Sequence, residues 1–148
     1  MDYELAENKI KEIISNNQNP QVLQYVVDFL YKNFSSYNWI GIYIVEDSYL
    51  VLGPWQGQQS TQHIKIPIGQ GVCGSAAHSG KTEVVSDVSE DQRYLACFAS
   101  TRSEIVVPIK KDGVVIGEID IDSDVPDAFD NSDALFLEKV ADMLSWHI

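Results

Sequence analysis

The stretch SEIVVPIKKDGVVIGEIDID, from Ser103 to Asp122, decides the fold. Both of its halves are rich in β-branched residues, which is typical of strands. Between them, Lys111-Asp112-Gly113 is a strong signal for a tight hairpin turn. Two strands joined by such a turn run antiparallel. We therefore expect an antiparallel sheet to be built around this hairpin.

The segments on either side of the hairpin extend the sheet and supply helices. We predict further strands in WIGIYIV, SYLVLGPW, HIKIPI and TEVVSD, with a hairpin turn at 46–48 between the first two. We predict helices around 5–14, from Pro20, in VCGSAAH and after an N-cap at Asp130. The isoleucines of HIKIPI are expected on one face, and most of Leu135, Leu137, Val140 and Leu144 are expected on the inner side of the last helix. Because hairpins join most strands, this order predicts a single α+β domain over residues 1–148.

The composition excludes several classes of function. With 148 residues, of which 45% are hydrophobic, the chain can bury a core without cross-links. Ten scattered basic residues against 22 acidic ones give a formal charge of −12, which argues against binding to nucleic acid or anionic membranes. No apolar run approaches the roughly 20 residues of a membrane helix. The charged N-terminus is unlike a secretory signal, so we expect a cytoplasmic protein with reduced thiols.

Cys73 and Cys97, the two cysteines of the chain, are candidates for thiol chemistry. For Cys73, within GVCG, the plainer interpretation is a small buried residue on a tight helix. Cys97 lies in a long polar loop, Ser86 to Thr101, and loops of this length are typically functional or disordered. A cysteine there can present a thiolate, the reactive form. One thiol can then attack an oxidised substrate and become a sulfenic acid, and the other can convert that acid to a disulfide.

Three carboxylates alternate with isoleucines in EIDIDSD, so Glu118, Asp120 and Asp122 share one face of the strand. The plainer interpretation is an ordinary solvent-exposed face. If Glu104 lies across the ladder from Asp120 or Asp122, the repulsion between close carboxylates would keep one of them protonated near neutral pH. A protonated carboxyl can donate to a leaving oxygen, and an ionised one can hold an ammonium group.

The remaining candidates are aromatic or basic. Trp39 and Tyr43, four apart on a strand, point to one face and form either core or an aromatic wall for a ligand. Arg102 is the nearest cation in sequence that would offset acidic charge beside Cys97, and its plainer interpretation is a solvated side chain. We expect no metal, because the three histidines have no partner at ligand spacing: His63, His78 and His147.

Six segments occur together in one order between about Asn38 and Asp124: NWIGIYIV, LVLGPWQG, IPIGQGVCGSA, the LAC ending at Cys97, RSEIVVPI and IGEIDIDSD. In this combination the chain resembles the GAF-domain family of free methionine-(R)-sulfoxide reductases. The resemblance implies a GAF fold, with a six-stranded antiparallel sheet and helices packed on it. It also implies the reduction of free L-methionine (R)-sulfoxide to methionine, without a bound cofactor and with electrons from thioredoxin.

The resemblance further implies the residues of the site. The family's catalytic cysteine matches Cys97, and its substrate pocket maps onto Trp39, Tyr43, Glu104, Asp120 and Asp122. The chain departs from the commoner pattern at His63, where many members have a resolving cysteine, and at Phe98, where many have an aspartate. We therefore expect a two-cysteine variant, in which Cys73 is the internal resolving candidate and Glu104 or one of the two aspartates is the proton donor.

Two other functions stay open at this level. A non-catalytic GAF module would bind a small molecule and signal, and it would keep that binding after Cys97→Ser. A thiol redox sensor would use Cys73 and Cys97 as its switch, and it would form no methionine. Dimerisation is common in the family, so a homodimer is a further expectation.

Overall fold

A six-stranded antiparallel sheet is the centre of the computed structural model, which describes residues 1–94 and 98–148. Its strands are β1 (Trp39–Glu46), β2 (Tyr49–Gly57), β3 (Lys65–Pro67), β4 (Glu83–Val85), β5 (Ser103–Lys111) and β6 (Val114–Ser123). They lie in the order β3-β2-β1-β6-β5-β4, and every neighbouring pair is antiparallel. The predicted α+β class and mostly antiparallel sheet are therefore confirmed.

The predicted hairpin turn at Lys111-Asp112-Gly113 is present between β5 and β6. Asp112 and Gly113 both adopt positive φ angles, 53° and 78°, as a two-residue turn of type I′ requires. Asp47 has a φ of 55° in the corresponding turn between β1 and β2. The β5–β6 hairpin fixes the register, in which Ser103 pairs with Ser123 and Glu104 with Asp122.

Four helices pack on this sheet: α1 (Tyr3–Asn16), α2 (Val22–Asn33), α3 (Gly71–Ser79) and α4 (Asn131–Leu144). The predicted N-cap at Asp130 is confirmed, since its side chain accepts from the amides of Ser132 and Asp133 and Asp133 returns a bond in a capping box. The second helix begins at Val22, and Pro20 lies in the turn before it. Among the helices of the described residues, none has the length and apolar character needed to cross a membrane.

The sheet separates two hydrophobic clusters. The larger one joins α1, α2 and α4 to one face of the sheet, where Ile40, Ile42, Ile119 and Ile121 are buried. The smaller one joins α3 to the opposite face and contains Trp39, Tyr43, Cys73 and Val106. Candidate residues from β1, β6 and α3 therefore meet on the α3 face of the sheet.

Of two predictions about apolar faces, the one for the last helix is confirmed for three of its four residues, and the one for the isoleucines of HIKIPI is wrong. Leu135 is 60% exposed, while Leu137, Val140 and Leu144 are fully buried on the inner side of α4. Ile64 is 62% exposed and Ile66 is 4% exposed, because strand β3 covers only Lys65–Pro67 and Ile64 lies outside it.

Candidate functional site

Four carboxyl groups are buried together on the α3 face of the sheet. Glu118, Asp120 and Asp122 alternate along β6 with Ile119 and Ile121, whose side chains enter the larger cluster on the other face. The three acidic residues are 0%, 1% and 2% exposed, so their interpretation as a solvent-exposed face is wrong. Glu104, at 3% exposure, pairs directly with Asp122 in the ladder, so of the two partners left open in the sequence it faces Asp122.

Burial controls the protonation of these groups. Removal from water raises the pKa of Glu118 and of Asp122 well above the ordinary range, and the charge of Asp120 raises both further. Burial also raises the pKa of Asp120, although hydrogen bonds with Glu104 and Cys73 oppose that increase. Burial therefore favours the protonated, uncharged form of these carboxyls.

Several carboxyl oxygens of this cluster have no hydrogen-bond partner among the described residues. Both carboxyl oxygens of Glu118, both of Asp122 and Oδ1 of Asp120 are buried without a hydrogen-bond partner in the described part of the chain. Buried polar atoms are almost always hydrogen-bonded, and an unpaired one costs about 1–3 kcal/mol. These acceptors are consequently available to a ligand that carries N–H donors or positive charge.

Cys73 approaches the carboxyl cluster from α3. Its Sγ lies 3.9 Å from Oε2 of Glu104, and its side chain is buried. Gly74 makes this approach possible, because a Cβ there would lie 2.7 Å from the carbonyl oxygen of Pro67. Burial raises the pKa of the Cys73 thiol well above its ordinary value, and the nearby carboxylates, Asp120 foremost, add to the effect. The Cys73 thiol is thus protonated. This agrees with its interpretation as a small buried residue, and the structure shows in addition that it contacts the carboxyl of Glu104.

Trp39 and Tyr43 lie in the same cluster, as their spacing predicted. The Trp39 indole covers Gly41 and Gly57, where a Cβ would lie 2.3 Å and 2.4 Å from its ring carbons. It stacks on Trp55 with ring centroids 6.2 Å apart, and its indole Nε1 is buried without a hydrogen-bond acceptor among the described residues. The Tyr43 hydroxyl donates to the carbonyl of His63 at 2.7 Å. The site therefore presents an aromatic wall with an unused N–H donor.

Two members of this wall were missed in the sequence. Trp55 stacks on Trp39, and Phe98 lies 5.7 Å from it between ring centroids. Trp55 lies two residues before Gly57, which pairs with Trp39 in the β1–β2 register, so only the register reveals the contact. The contact of Phe98 with Trp39 was not predicted, because Phe98 lies in the long loop, far from Trp39 in the sequence.

A small cavity opens beside this wall. It has a volume of about 30 Å³, and its lining includes Trp39, Phe98, Thr101, Asp122 and Asp124. That volume is sufficient for about one water molecule. Asp122 is the member of the buried cluster that lines this cavity, which makes it the link between the acids and the surface.

Cys97, the predicted nucleophile, falls within residues 95–97, which lie outside the described residues. Its role stays a prediction. Arg102 is exposed, and its backbone pairs with Val88 and Ser123. The side chain of Arg102 thus fits the interpretation as a solvated cation.

The chain is similar in sequence and structure to known proteins. Residues 20–148 match the family model described as GAF domain. The chain belongs to the GAF-domain family. The GAF fold inferred from the sequence is therefore confirmed.

Relatives of this GAF protein include named reductases. It is 44% identical over 112 residues to the free methionine-R-sulfoxide reductase of Saccharomyces cerevisiae, an alignment that covers 73% of this chain and 61% of the relative. It is 39% identical to protein YtsP of Bacillus subtilis, over 97% of this chain and 88% of the relative. The crystal structure of the Neisseria meningitidis free methionine-R-sulfoxide reductase with its substrate superposes with a TM-score of 0.92 at 36% identity, covering 98% of this chain and 87% of that one. The predicted kinship with this group of reductases is confirmed, whereas the two-cysteine variant stays a prediction.

Proposed function

We propose that this GAF protein is a methionine (R)-sulfoxide reductase that converts free L-methionine (R)-sulfoxide to L-methionine. The observation that carries the proposal is the cluster of four buried carboxyls beside Cys73 and an aromatic wall, in a chain related to reductases of this name. Such a pocket suits a small ligand with one cationic and one apolar end.

The proposed binding mode uses both ends of the ligand. The ammonium group would donate to the buried oxygens of Asp120 and Asp122 that have no partner within the described chain. The methyl and thioether groups would pack against Trp39, with Tyr43 behind it. The ammonium contact limits the ligand, because the nitrogen of a methionine inside a peptide is an uncharged amide and cannot make the same charged hydrogen bonds. These contacts support selection of the free amino acid.

The proposed chemistry transfers one oxygen and two electrons. The Cys97 thiolate attacks the sulfoxide sulfur, while a protonated carboxyl, that of Glu104, Asp120 or Asp122, donates to the sulfoxide oxygen. The hydroxyl then passes to the Cys97 sulfur as the bond between the two sulfur atoms breaks, so methionine leaves with a reduced sulfur and Cys97 becomes a sulfenic acid. The raised pKa values of Asp120 and Asp122 support their place among the proton donors.

Recycling is proposed to use the second thiol. The Cys73 thiol condenses with the Cys97 sulfenic acid, which forms a disulfide and releases water. A thioredoxin dithiol then reduces that disulfide and is itself oxidised. The bond requires the two Cα atoms to come within about 7 Å. No bound cofactor enters this cycle, and we place the protein in the cytoplasm as one domain that forms homodimers.

The experiment follows NADPH consumption with thioredoxin and thioredoxin reductase. The free (R)-sulfoxide, the free (S)-sulfoxide and a peptide-bound sulfoxide are offered separately. We expect turnover with the free (R) form alone. If no form is turned over, even with dithiothreitol as reductant, the proposal fails and a ligand-binding or redox-sensing GAF module becomes the better explanation.

A further inference from the structure

Three potential metal-ligand atoms converge in the carboxyl cluster. They are the Cys73 sulfur from α3 and one carboxyl oxygen each from Glu104 on β5 and Asp120 on β6, and all lie within 4.8 Å of one another. The three side chains are buried. The spacing of residues in the sequence does not predict this group of ligands, because each of the three comes from a different helix or strand.

A second observation points to a cation at the same place. Oδ1 of Asp120 and both oxygens of Glu118 and Asp122 are buried without hydrogen-bond partners in the described residues. Within residues 1–94 and 98–148, no lysine or arginine forms an ion pair with Glu118, Asp120 or Asp122. Carboxylates buried in this way require protons or a cation to balance them.

We propose that the pocket binds a thiophilic divalent metal ion, with Zn²⁺ as the best fit, through Cys73, Glu104 and Asp120. The competition described below rests on the proposed function, since the ion would occupy carboxylates assigned there to the substrate. An ion held in this way is an inhibitor of the resting enzyme.

The spacing of the ligands suits zinc. Bonds of about 2.3 Å to sulfur and about 2.1 Å to oxygen in a tetrahedral site place sulfur about 3.6 Å from oxygen. The observed separation of 3.9 Å between Cys73 Sγ and Glu104 Oε2 needs only a small contraction. The converging group supplies three protein ligands, so water would take the fourth position of a tetrahedral site. A thiolate ligand favours zinc over magnesium or calcium, which prefer sites made of oxygen alone.

The ion has to displace a proton from Cys73. The groups that face this thiol are Glu104 from β5 and Glu118, Asp120 and Asp122 from β6, and all four favour the protonated form of the thiol. A divalent cation reverses this balance, because a coordinated cysteine is bound as the thiolate. Metal affinity is therefore expected to fall as the pH is lowered and the ligands become protonated.

The test uses Co²⁺ as a spectroscopic probe with the reduced protein in a buffer that contains no thiol. We expect a near-ultraviolet sulfur-to-cobalt charge-transfer band that saturates at one equivalent and is abolished by Zn²⁺. Cys73→Ser should lose the band and Cys97→Ser should keep it. Asp120→Asn should weaken binding at least about 10-fold, whereas the exposed Asp124→Asn, a matched loss of charge two positions beyond the cluster, should not. Circular dichroism checks that each variant is folded.

The outcomes separate the metal site from the proposed reaction. No band in the wild-type protein, or a band that survives Cys73→Ser, overturns the metal site even if the enzyme turns over the sulfoxide. In Cys97→Ser, which holds the sulfoxide without reacting, free L-methionine (R)-sulfoxide should displace Co²⁺. Displacement supports both proposals, and metal binding that the sulfoxide does not affect contradicts the shared pocket while the metal site stands.

Discussion

Glu118 provides the clearest test of the electrostatics of the site. Its carboxyl is fully buried, both of its oxygens lack a hydrogen-bond partner among the described residues, and burial raises its pKa. A group whose pKa is raised on folding binds more protons in the folded state than in the unfolded state. Its contribution to stability is therefore complete below its unfolded pKa and is lost as the pH rises towards its folded pKa.

The size of the effect of Glu118 on the unfolding free energy follows from the interval between its ordinary pKa and neutral pH. Between the ordinary pKa of 4.5 and pH 7 there are about 2.5 pH units, and each is worth about 1.36 kcal/mol. Keeping this one carboxyl protonated at pH 7 thus costs at most about 3.4 kcal/mol of unfolding free energy. Glu118→Gln removes that cost, because the amide is neutral at every pH and its N–H group can donate to the unpaired oxygen of Asp120.

The assay is urea denaturation of wild type and Glu118→Gln between pH 4.5 and pH 8. We expect the stability of the variant relative to wild type to rise with pH, by up to about 3.4 kcal/mol at pH 7. Glu138→Gln, on the exposed side of α4, is the control and should remain within about 0.5 kcal/mol of wild type. A difference between variant and wild type that is constant with pH, or that shrinks as the pH rises, would refute the reasoning.

Three other substitutions test the pocket and its support. Asp122→Asn should lower kcat/KM at least about 10-fold, because it removes a carboxyl group that accepts from the substrate ammonium, a contact worth about 1.4 kcal/mol or more; steady-state kinetics measure this. Gly57→Ala forces a Cβ to 2.4 Å from the Trp39 ring, so it should raise KM and lower the unfolding free energy by about 1–3 kcal/mol. Tyr37→Phe deletes a 2.9 Å hydrogen bond to buried Asp133 and should cost about 1–3 kcal/mol in urea denaturation.

Each of these three substitutions has a matched control variant. Asp124→Asn removes an exposed charge at the mouth of the cavity and should leave kcat/KM within about twofold. Gly53→Ala alters β2 beside the Ile42 carbonyl and not beside the indole, so KM should be retained. Tyr25→Phe loses only an exposed hydrogen bond. If a control variant changed kcat/KM, KM or stability as much as the test variant it accompanies, the contact assigned to that test variant would not be the cause of the change.

The hairpin and the alternation of β6 were predictable because local chemistry determines both. Asp112-Gly113 adopts the left-handed angles that few other pairs tolerate, and the period of two along β6 places Glu118, Asp120 and Asp122 on one face. The choice between Asp120 and Asp122 as the partner of Glu104 was left open, because it depends on the exact register, which shifts between Ile109 and Lys110.

The burial of those acids was not predictable, because alternating charges and isoleucines are the usual pattern of a half-exposed strand. What covers them is α3, and α3 reaches the sheet because Gly74 permits close contact with the Pro67 carbonyl. The contact of Cys73 with Glu104 depends on that long-range packing. The exposure of Leu135 has a simpler reason, since it lies between the inner positions of α4.

A single-turnover experiment tests the central claim most directly. Fully reduced protein is mixed with excess free L-methionine (R)-sulfoxide without any reductant, and methionine is counted by chromatography while protein mass is measured. We expect one methionine per chain and a mass loss of about 2 Da, the two hydrogens lost as the Cys73–Cys97 disulfide forms. Cys73→Ser should still yield one methionine but stop at a trappable sulfenic acid, and Cys97→Ser should yield none. Methionine formed by Cys97→Ser, or none formed by the wild-type protein, would contradict the account.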